Sequence, residues 1–283
     1  MQLSIITINY NNKGGLKKTI NSVVNQTFND LEYIIIDGGS SDGSVDVIKE
    51  HQNQLDYWVS EKDRGIYNAM NKGINIAKGE YLLFLNSGDY FCNQSVLHNF
   101  LKETNDIDII YGKQYYEYPN GELRPIQNPP ILTLNLFFSG YSLPHQATLI
   151  KRQLFSKYGL YDESLTMVAD WKFFLLAIFK WNCTIISKDF FIVNFNLDGI
   201  SQNKNKEYIN RWKIENESVL LSEFPNFKYI KSQNENAIRI IGFYLYLKSF
   251  KILKKMGLFK LFSLYVTEFA SYFNKSTFPD DLL

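Results

Sequence analysis

Little in this chain of 283 residues could staple or anchor it. Its two cysteines, Cys92 and Cys183, lie far apart without metal-ligand spacing. That excludes a disulfide framework and a thiolate cage, and reads as free thiols in a reducing compartment. Lys plus Arg number 30 against 29 Asp plus Glu, so the net charge is +1 and no bulk attraction to nucleic acid follows. Met1 leads straight into an apolar strand with no basic, cleavable segment, which argues against a secretory signal. No run of about 18 predominantly apolar residues occurs, so no spanning helix is expected. No GxGxxG follows the first strand and no GxxxxGK[ST] occurs, so the usual glycine cradles for phosphate are missing. There is no repeat and no Pro/Gly-rich linker; the length suits one large α/β domain or two modest ones.

What is present is strand–helix alternation. Leu3 to Ile8 and Leu31 to Ile36 are apolar runs, each stopped by polar residues and glycine. Leu16, Ile20, Val23, Val24 and Thr27 between them recur at helical spacing. Val45 to His51 reads as a short helix with Asp42 or Ser44 as its cap, Tyr57 to Ser60 as a strand, and Ile66 to Ala77 as a helix closed by Gly79. Tyr81 to Leu85 is a run without polar alternation, the habit of a strand buried on both faces. Four alternations in about 90 residues predict a parallel sheet with right-handed crossovers.

After Asp89 the pattern changes. Val96 to Glu103 reads as helix and Ile107 to Tyr111 as strand. Gln114 to Tyr118 and Leu123 to Ile126 flank the hairpin signal Asn120-Gly121. Ala147 to Ile150, Cys183 to Ser187 and Phe190 to Phe195 read as strands, and Val168 to Trp181 as a helix. The sheet is therefore expected to become mixed, and the chain to turn helical from about Tyr208. The 22 Phe and 19 Tyr fit an aromatic core more simply than a sugar-stacking or membrane-facing surface.

Tyr10, Asp37, Asp63 and Asp89 all fall at or just past the carboxyl ends of predicted parallel strands, the edge where open α/β sheets bind ligands. An aromatic, two acceptors and a carboxylate able to hold a divalent cation together suit a nucleotide diphosphate. Asp89 taken alone reads equally well as a turn cap.

At this point the sequence resembles a known group. SIITINYNN (Ser4 to Asn12), NQTF (Asn25 to Phe28), DGGSSDGS (Asp37 to Ser44), DRGIYNAMNKGI (Asp63 to Ile74) and FLNSGD (Phe84 to Asp89) are similar to the ordered motifs of family 2 glycosyltransferases. The likeness continues more loosely through PHQA (Pro144 to Ala147) and ADWKFFLLAI (Ala169 to Ile178) to DGIS (Asp198 to Ser201). The resemblance implies a GT-A fold, a Rossmann-like mixed and mostly parallel sheet flanked by helices, with inverting sugar transfer from a nucleotide donor. It is nearest to bacterial enzymes of surface-polysaccharide biosynthesis. Residues 1–205 would form the catalytic domain, with a nucleotide-sugar half at 1–112 and an acceptor half at 113–205; residues 206–283 would be a helical extension.

Carried over residue by residue, the resemblance implies that Tyr10 packs near the base and Asp37 anchors the nucleoside. Asp63 and Arg64 would line the donor site, Arg64 against phosphate. Asn68 and Asn71, three apart on one helical face, would aim at the donor. Asn86 would lie on the donor side and Asp89 would hold Mg²⁺ or Mn²⁺. Many relatives carry a second acid where this chain has Gly38, and D-x-D-D where it has Asn86, Ser87, Gly88 and Asp89. These departures bear on the base identity more than on the reaction class.

Asp170 would be the general base. An inverting transfer needs one carboxylate on the face opposite the leaving nucleotide. On the residues alone Asp170 reads more simply as a first-turn acid complementing a helix dipole; the resemblance turns the reading to the base. His145 reads as an acceptor, phosphate or metal contact beside the alternative of a packed loop histidine. Trp171 reads as a sugar-stacking ring or as core, and Asp162 and Glu163 as a solvated turn.

From Ile240 to Met256, Lys248, Lys251 and Lys255 share one helical face, with Phe243, Tyr246, Phe250 and Leu253 on another. Such a helix lies on an anionic membrane or packs on protein, including a second subunit. Leu258 to Phe273 is aromatic and poor in charge. The membrane reading agrees with a lipid-linked saccharide acceptor and a place at the inner face of the plasma membrane. The expected function is therefore transfer from a UDP-sugar to a saccharide. The rivals are a sugar-phosphate nucleotidyltransferase, which should carry a basic glycine-rich loop instead of NYNNKGG, and a silent nucleotide-binding module, for which Asp170 has no use.

Overall fold

A computed structural model describes residues 1–102, 104, 106–197 and 206–225. The expectations for Asp198 to Ser201, for the helix from Ile240 to Met256 and for Leu258 to Phe273 lie outside these residues. Two compact units are distinguished. One holds Met1–Leu132 and the chain from Ser142 through the last strand; the other holds Thr133–Tyr141 and the helix that starts at Lys206.

The first unit is organised on one sheet. Its strands are β1 (Leu3–Asn9), β2 (Leu31–Asp37), β3 (Tyr57–Ser60), β4 (Tyr81–Phe84), β5 (Tyr90–Phe91), β6 (Ile109–Glu117), β7 (Leu123–Ile126), β8 (Thr148–Lys151) and β9 (Ile185–Asn196). Its helices are α1 (Lys13–Val24), α2 (Ser44–Glu50), α3 (Ile66–Ile76), α4 (Val96–Phe100), α6 (Gln153–Tyr158) and α7 (Ala169–Phe179); α5 (Leu134–Phe138) and α8 (Lys206–Glu223) belong to the second unit. The strand order is β3-β2-β1-β4-β8-β6-β9-β5, with β7 beside β6. The first four strands run parallel as predicted, and β8 pairs antiparallel with both β4 and β6.

The central strands are apolar because both of their faces are covered. All seven residues of β1 and all four of β4 are buried. Helix α1 sets Leu16, Thr19, Ile20 and Val23 against this layer, and the side chain of Asn12 caps its start by accepting from Gly15 N at 3.1 Å. Helix α3 comes so close to β1 that a methyl at Gly73 would lie 2.5 Å from Ile6 Cγ2.

After Asp89 the strands depart from the sequence expectation in three places, and the helices α5 and α6 were not expected. The two strands expected on either side of Gly112 are one, β6, and Cys183–Ser187 with Phe190–Phe195 merge into β9. β6 and β9 run parallel, and their register shifts around Gly112, where a side chain would collide with Ile192 at 2.3 Å. The short strand β5 was not anticipated; two residues are too few to carry a period. At the hairpin, Gly121 takes the left-handed backbone conformation (φ 80°), and Tyr118 N bonds Glu122 O at 3.0 Å.

In the second unit, the Thr133 hydroxyl caps α5 by accepting from Leu136 N, and the ring of Trp212 on α8 lies over Gly140. Among the described residues, no helix is long and apolar enough to cross a membrane.

Candidate active site

The register of the parallel strands sets a polar row along one edge. Asn9, Asp37 and Ser60 are cross-strand partners at the ends of β1, β2 and β3. Asn9 Nδ2 donates to Asp37 Oδ1 at 2.7 Å and Ser60 Oγ to Oδ2 at 2.6 Å. The Ser40 hydroxyl donates to Oδ1, and the amides of Gly39 and Ser40 donate to Oδ2. Burial works to raise the Asp37 pKa, but the bonds from Ser40, Ser60 and Asn9 outweigh it and hold the carboxyl below its ordinary value. Asp37 was expected to anchor a nucleoside. Here it is fully buried and both oxygens are filled by neighbouring strand ends and its own loop, so it shapes that loop.

Three other residues converge beside it. A methyl built on Gly38 would lie 3.2 Å from Asp63 Oδ2 and 3.2 Å from Tyr10 Cδ2. Gly38 therefore keeps open a gap walled by an aromatic ring and a carboxylate oxygen. Tyr10 is 64 % exposed, an unusual place for a ring with nothing to cover. The other oxygen of Asp63 is held by Lys72, which also pairs with Glu61 at 2.7 Å.

The turn after β4 is clamped from beneath by α1. Thr19 Oγ1 donates to Asp89 O at 2.7 Å and accepts from Gly88 N at 3.0 Å. Asp89 Oδ1 accepts from Asn196 N at 3.0 Å, tying the turn to β9. Burial pushes the Asp89 pKa up to about 8; the Asn196 amide opposes this and the nearby Glu117 charge adds to it. Asn86 Oδ1, at the other end of the turn, is buried and takes no hydrogen bond among the described residues. An orphaned amide oxygen and a buried carboxylate short of positive charge fit, in kind, the donors a small oxygen-binding cation takes with phosphate oxygens and water. Among the described residues no group of three or more His, Cys, Asp or Glu could hold a metal by itself, so the protein supplies a partial set.

The residues expected on the acceptor side fall into two groups. Asp170, in the first turn of α7, accepts from the Tyr67 hydroxyl at 2.7 Å. Tyr67 lies in the first turn of α3, immediately after the Asp63–Arg64–Gly65 turn, so Asp170 joins the edge that carries Asp63. Burial and then the Asp170 charge push the Tyr67 phenol well above its ordinary pKa. His145 is placed otherwise than as an open contact. It is 8 % exposed, stacked on Phe84 with centroids 4.8 Å apart, and its Nε2 lies 2.9 Å from the Tyr161 hydroxyl. Burial lowers its pKa. Trp171 is buried too, so its ring offers no face to a sugar, and its indole N–H has no partner among the described residues.

Asn68 and Asn71 do share a face, but that face is turned to the loop before α7. Asn68 Nδ2 donates to Glu163 Oε2 at 3.0 Å and Asn71 Nδ2 to Glu163 Oε1 at 3.1 Å. Asn71 also brackets Tyr161, accepting from its N and donating to its O. Arg64, expected against phosphate, reaches Glu163 at 2.7 Å while its side chain stays largely exposed. The Asp162–Glu163 turn is thus a junction: Asp162 pairs with Lys172, and Glu163 receives three side chains from the Asp63–Ile74 segment. Sequence reasoning missed Glu163, Tyr67 and Thr19. Tyr67 and Thr19 are part of helical patterns that also describe core, and nothing local marks any of the three.

The sheet order and this edge are those of a GT-A type α/β fold. The glycosyl transferase family 2 model matches residues 4–163, more than half of the chain, and the protein belongs to that family of enzymes. The uncharacterized glycosyltransferase Rv1514c of Mycobacterium tuberculosis (strain ATCC 25618 / H37Rv) is 34% identical over 184 residues, covering 62% of this chain and 68% of that protein. The PGL/p-HBAD biosynthesis glycosyltransferase Rv2957 of the same strain is 29% identical over 176 residues, covering 60% and 67%. Among solved structures, S. aureus TarS 1-349 in complex with UDP-GlcNAc superposes with a TM-score of 0.57 at 21% identity, over 69% of this chain and 58% of that one. The mannosyltransferase PcManGT from Pyrobaculum calidifontis, in complex with GDP-Man and Mn2+, gives 0.54 at 15% identity, over 74% and 60%. At these identities the structural likeness establishes the fold.

Proposed function

We propose that this glycosyltransferase moves a sugar from a UDP-sugar to a saccharide acceptor by single displacement with inversion. Asp170 acts as general base, and the turn from Asn86 to Asp89 holds a divalent cation. The carrying observation is the 2.7 Å bond between Tyr67 and Asp170. It sets a carboxylate from the second half of the sheet unit beside the segment that starts at Asp63.

Tyr10 covers the base, and Asp63 Oδ2 accepts the single imide N–H of a uracil in the gap that Gly38 leaves open. Among the described residues only Oδ1 of the two Asp63 oxygens is bonded, and the one oxygen left suits one N–H donor better than the two adjacent donors of guanine. The UDP-GlcNAc bound by TarS agrees with this choice. A Mg²⁺ or Mn²⁺ ion at Asp89 and Asn86 would supply positive charge to the departing diphosphate. The Mn2+ in the PcManGT complex supports that assignment. The chain's own residues do the rest: Thr19 and Asn196 fix the turn, and Asp170 receives the acceptor proton.

On this reading, residues 1–112 form the donor half, 113–205 the acceptor half and 206–283 a helical extension. The basic, aromatic stretch from Ile240 to Met256 suits a lipid-linked acceptor at the inner membrane face.

The test is nucleoside diphosphate release from a panel of UDP-, GDP- and dTDP-sugars, with Mn²⁺, Mg²⁺ or chelator, with Asp89→Ala and Asp170→Ala in parallel. Metal-dependent release from a UDP-sugar, lost in both variants, is the expected result. A full rate in Asp170→Ala would remove it as the base, and a full rate in chelator would remove the cation.

A further inference from the structure

The Tyr67–Asp170 bond has more to it than placement. Tyr67 is 5 % exposed, and its phenol spends its hydrogen on a carboxylate 103 positions away. The ring is held on one side by Tyr161, with centroids 5.8 Å apart, and Tyr161 packs edge-on against Phe84 of β4 at 5.6 Å. Asn71, one turn further along α3, grips Tyr161 through two backbone bonds. The phenol therefore has a fixed direction. Among the described residues Asp170 Oδ2 takes no hydrogen bond, while Oδ1 is occupied.

We infer that Tyr67 is a positioning residue for the transfer: its hydroxyl fixes Asp170 Oδ1, so that Oδ2 is the oxygen presented to the acceptor. This rests on Asp170 being the base, as proposed above. In the step, the acceptor oxygen forms its bond to the anomeric carbon and its proton passes to Asp170 Oδ2. The anomeric carbon–oxygen bond to the diphosphate breaks, and its electron pair leaves on the diphosphate. The phenol keeps its proton throughout, which a buried phenol beside a carboxylate does readily. A base free to rotate would spend part of its time aimed away from the acceptor.

The experiment is Tyr67→Phe, which removes one oxygen and keeps the buried ring. UDP release is followed with the UDP-sugar selected by the panel and a p-nitrophenyl glycoside as acceptor, and UDP binding is measured by calorimetry. The expected result is a kcat lowered roughly 10- to 100-fold, within what general-base catalysis contributes. Donor KM and UDP affinity should stay near those of the parent, and the melting temperature should fall by no more than the several degrees that one lost hydrogen bond costs. A kcat within twofold of the parent overturns the inference. So does a loss of kcat matched by an equal loss of UDP affinity or by a collapse in melting temperature, because the hydroxyl would then be holding the fold. Asp170→Asn separates the two claims. If it retains full kcat the base assignment itself falls, whereas its inactivity beside a fully active Tyr67→Phe sinks only the role of Tyr67. Absence of turnover by the parent on every donor overturns both.

Discussion

Thr19→Val tests the clamp under the Asp89 turn. Val keeps the branched shape and replaces one hydroxyl by a methyl. In the parent that hydroxyl is fully buried, donates to Asp89 O at 2.7 Å and accepts from Gly88 N at 3.0 Å. It also lies 3.1 Å from Gly15 O and 3.3 Å from Asn86 O. The substitution strands a buried N–H and weakens the satisfaction of a buried carbonyl, at about 1–3 kcal/mol for each group left unpaired. A total of about 2–4 kcal/mol corresponds to a fall in melting temperature of roughly 5–15 °C for a domain of this size. Differential scanning fluorimetry reads that directly. Thr19→Ser, which keeps the hydroxyl and loses one methyl, should stay within a few degrees of the parent. The turn also presents Asp89 and Asn86, so binding of UDP with Mn²⁺ should weaken in Thr19→Val even well below its melting point. If Thr19→Val melts within about 2 °C of the parent, water or a backbone shift satisfies the freed groups and the clamp argument fails.

Further predictions test the packing and the strand-end network. Gly73→Ala forces Ile6 to give way, since the new methyl would start 2.5 Å from Ile6 Cγ2. Overpacking costs about 1–3 kcal/mol and helix propensity returns roughly 1 kcal/mol, so a lowered denaturant midpoint is expected; a raised one would contradict the contact. The Asp37 carboxyl lies below its unfolded value, so its contribution is present above about pH 4 and is lost as pH falls through the folded-state value. Asp37→Asn should therefore be less stable at neutral pH and lose stability less steeply as pH falls below about 4. Urea midpoints across that range that run parallel for the two proteins would show that the carboxylate is not the group being titrated.

The residues themselves determined the parallel part of this protein's sheet. Parallel strands covered on both faces need unbroken apolar runs, and the helices between them need one apolar stripe, so β1 to β4 and α1 to α3 are legible within short windows. The strand ends follow, and with them Tyr10, Asp37, Asp63 and Asp89, because a run that must leave a parallel sheet ends at the ligand edge. The same local patterns carry the family likeness, which the match over residues 4–163 bears out. What each polar group does there was decided by tertiary contacts. Asp37 is spent on Asn9, Ser40 and Ser60, and Asn68 and Asn71 on Glu163. His145 is spent on Tyr161. Spacing tells which residues share a face, and says nothing of which distant loop that face meets. Tyr67 with Asp170, and Thr19 with Asp89, are separated by 103 and 70 positions, and the hydrogen bond that joins each pair exists only once the sheet has brought both partners to one edge.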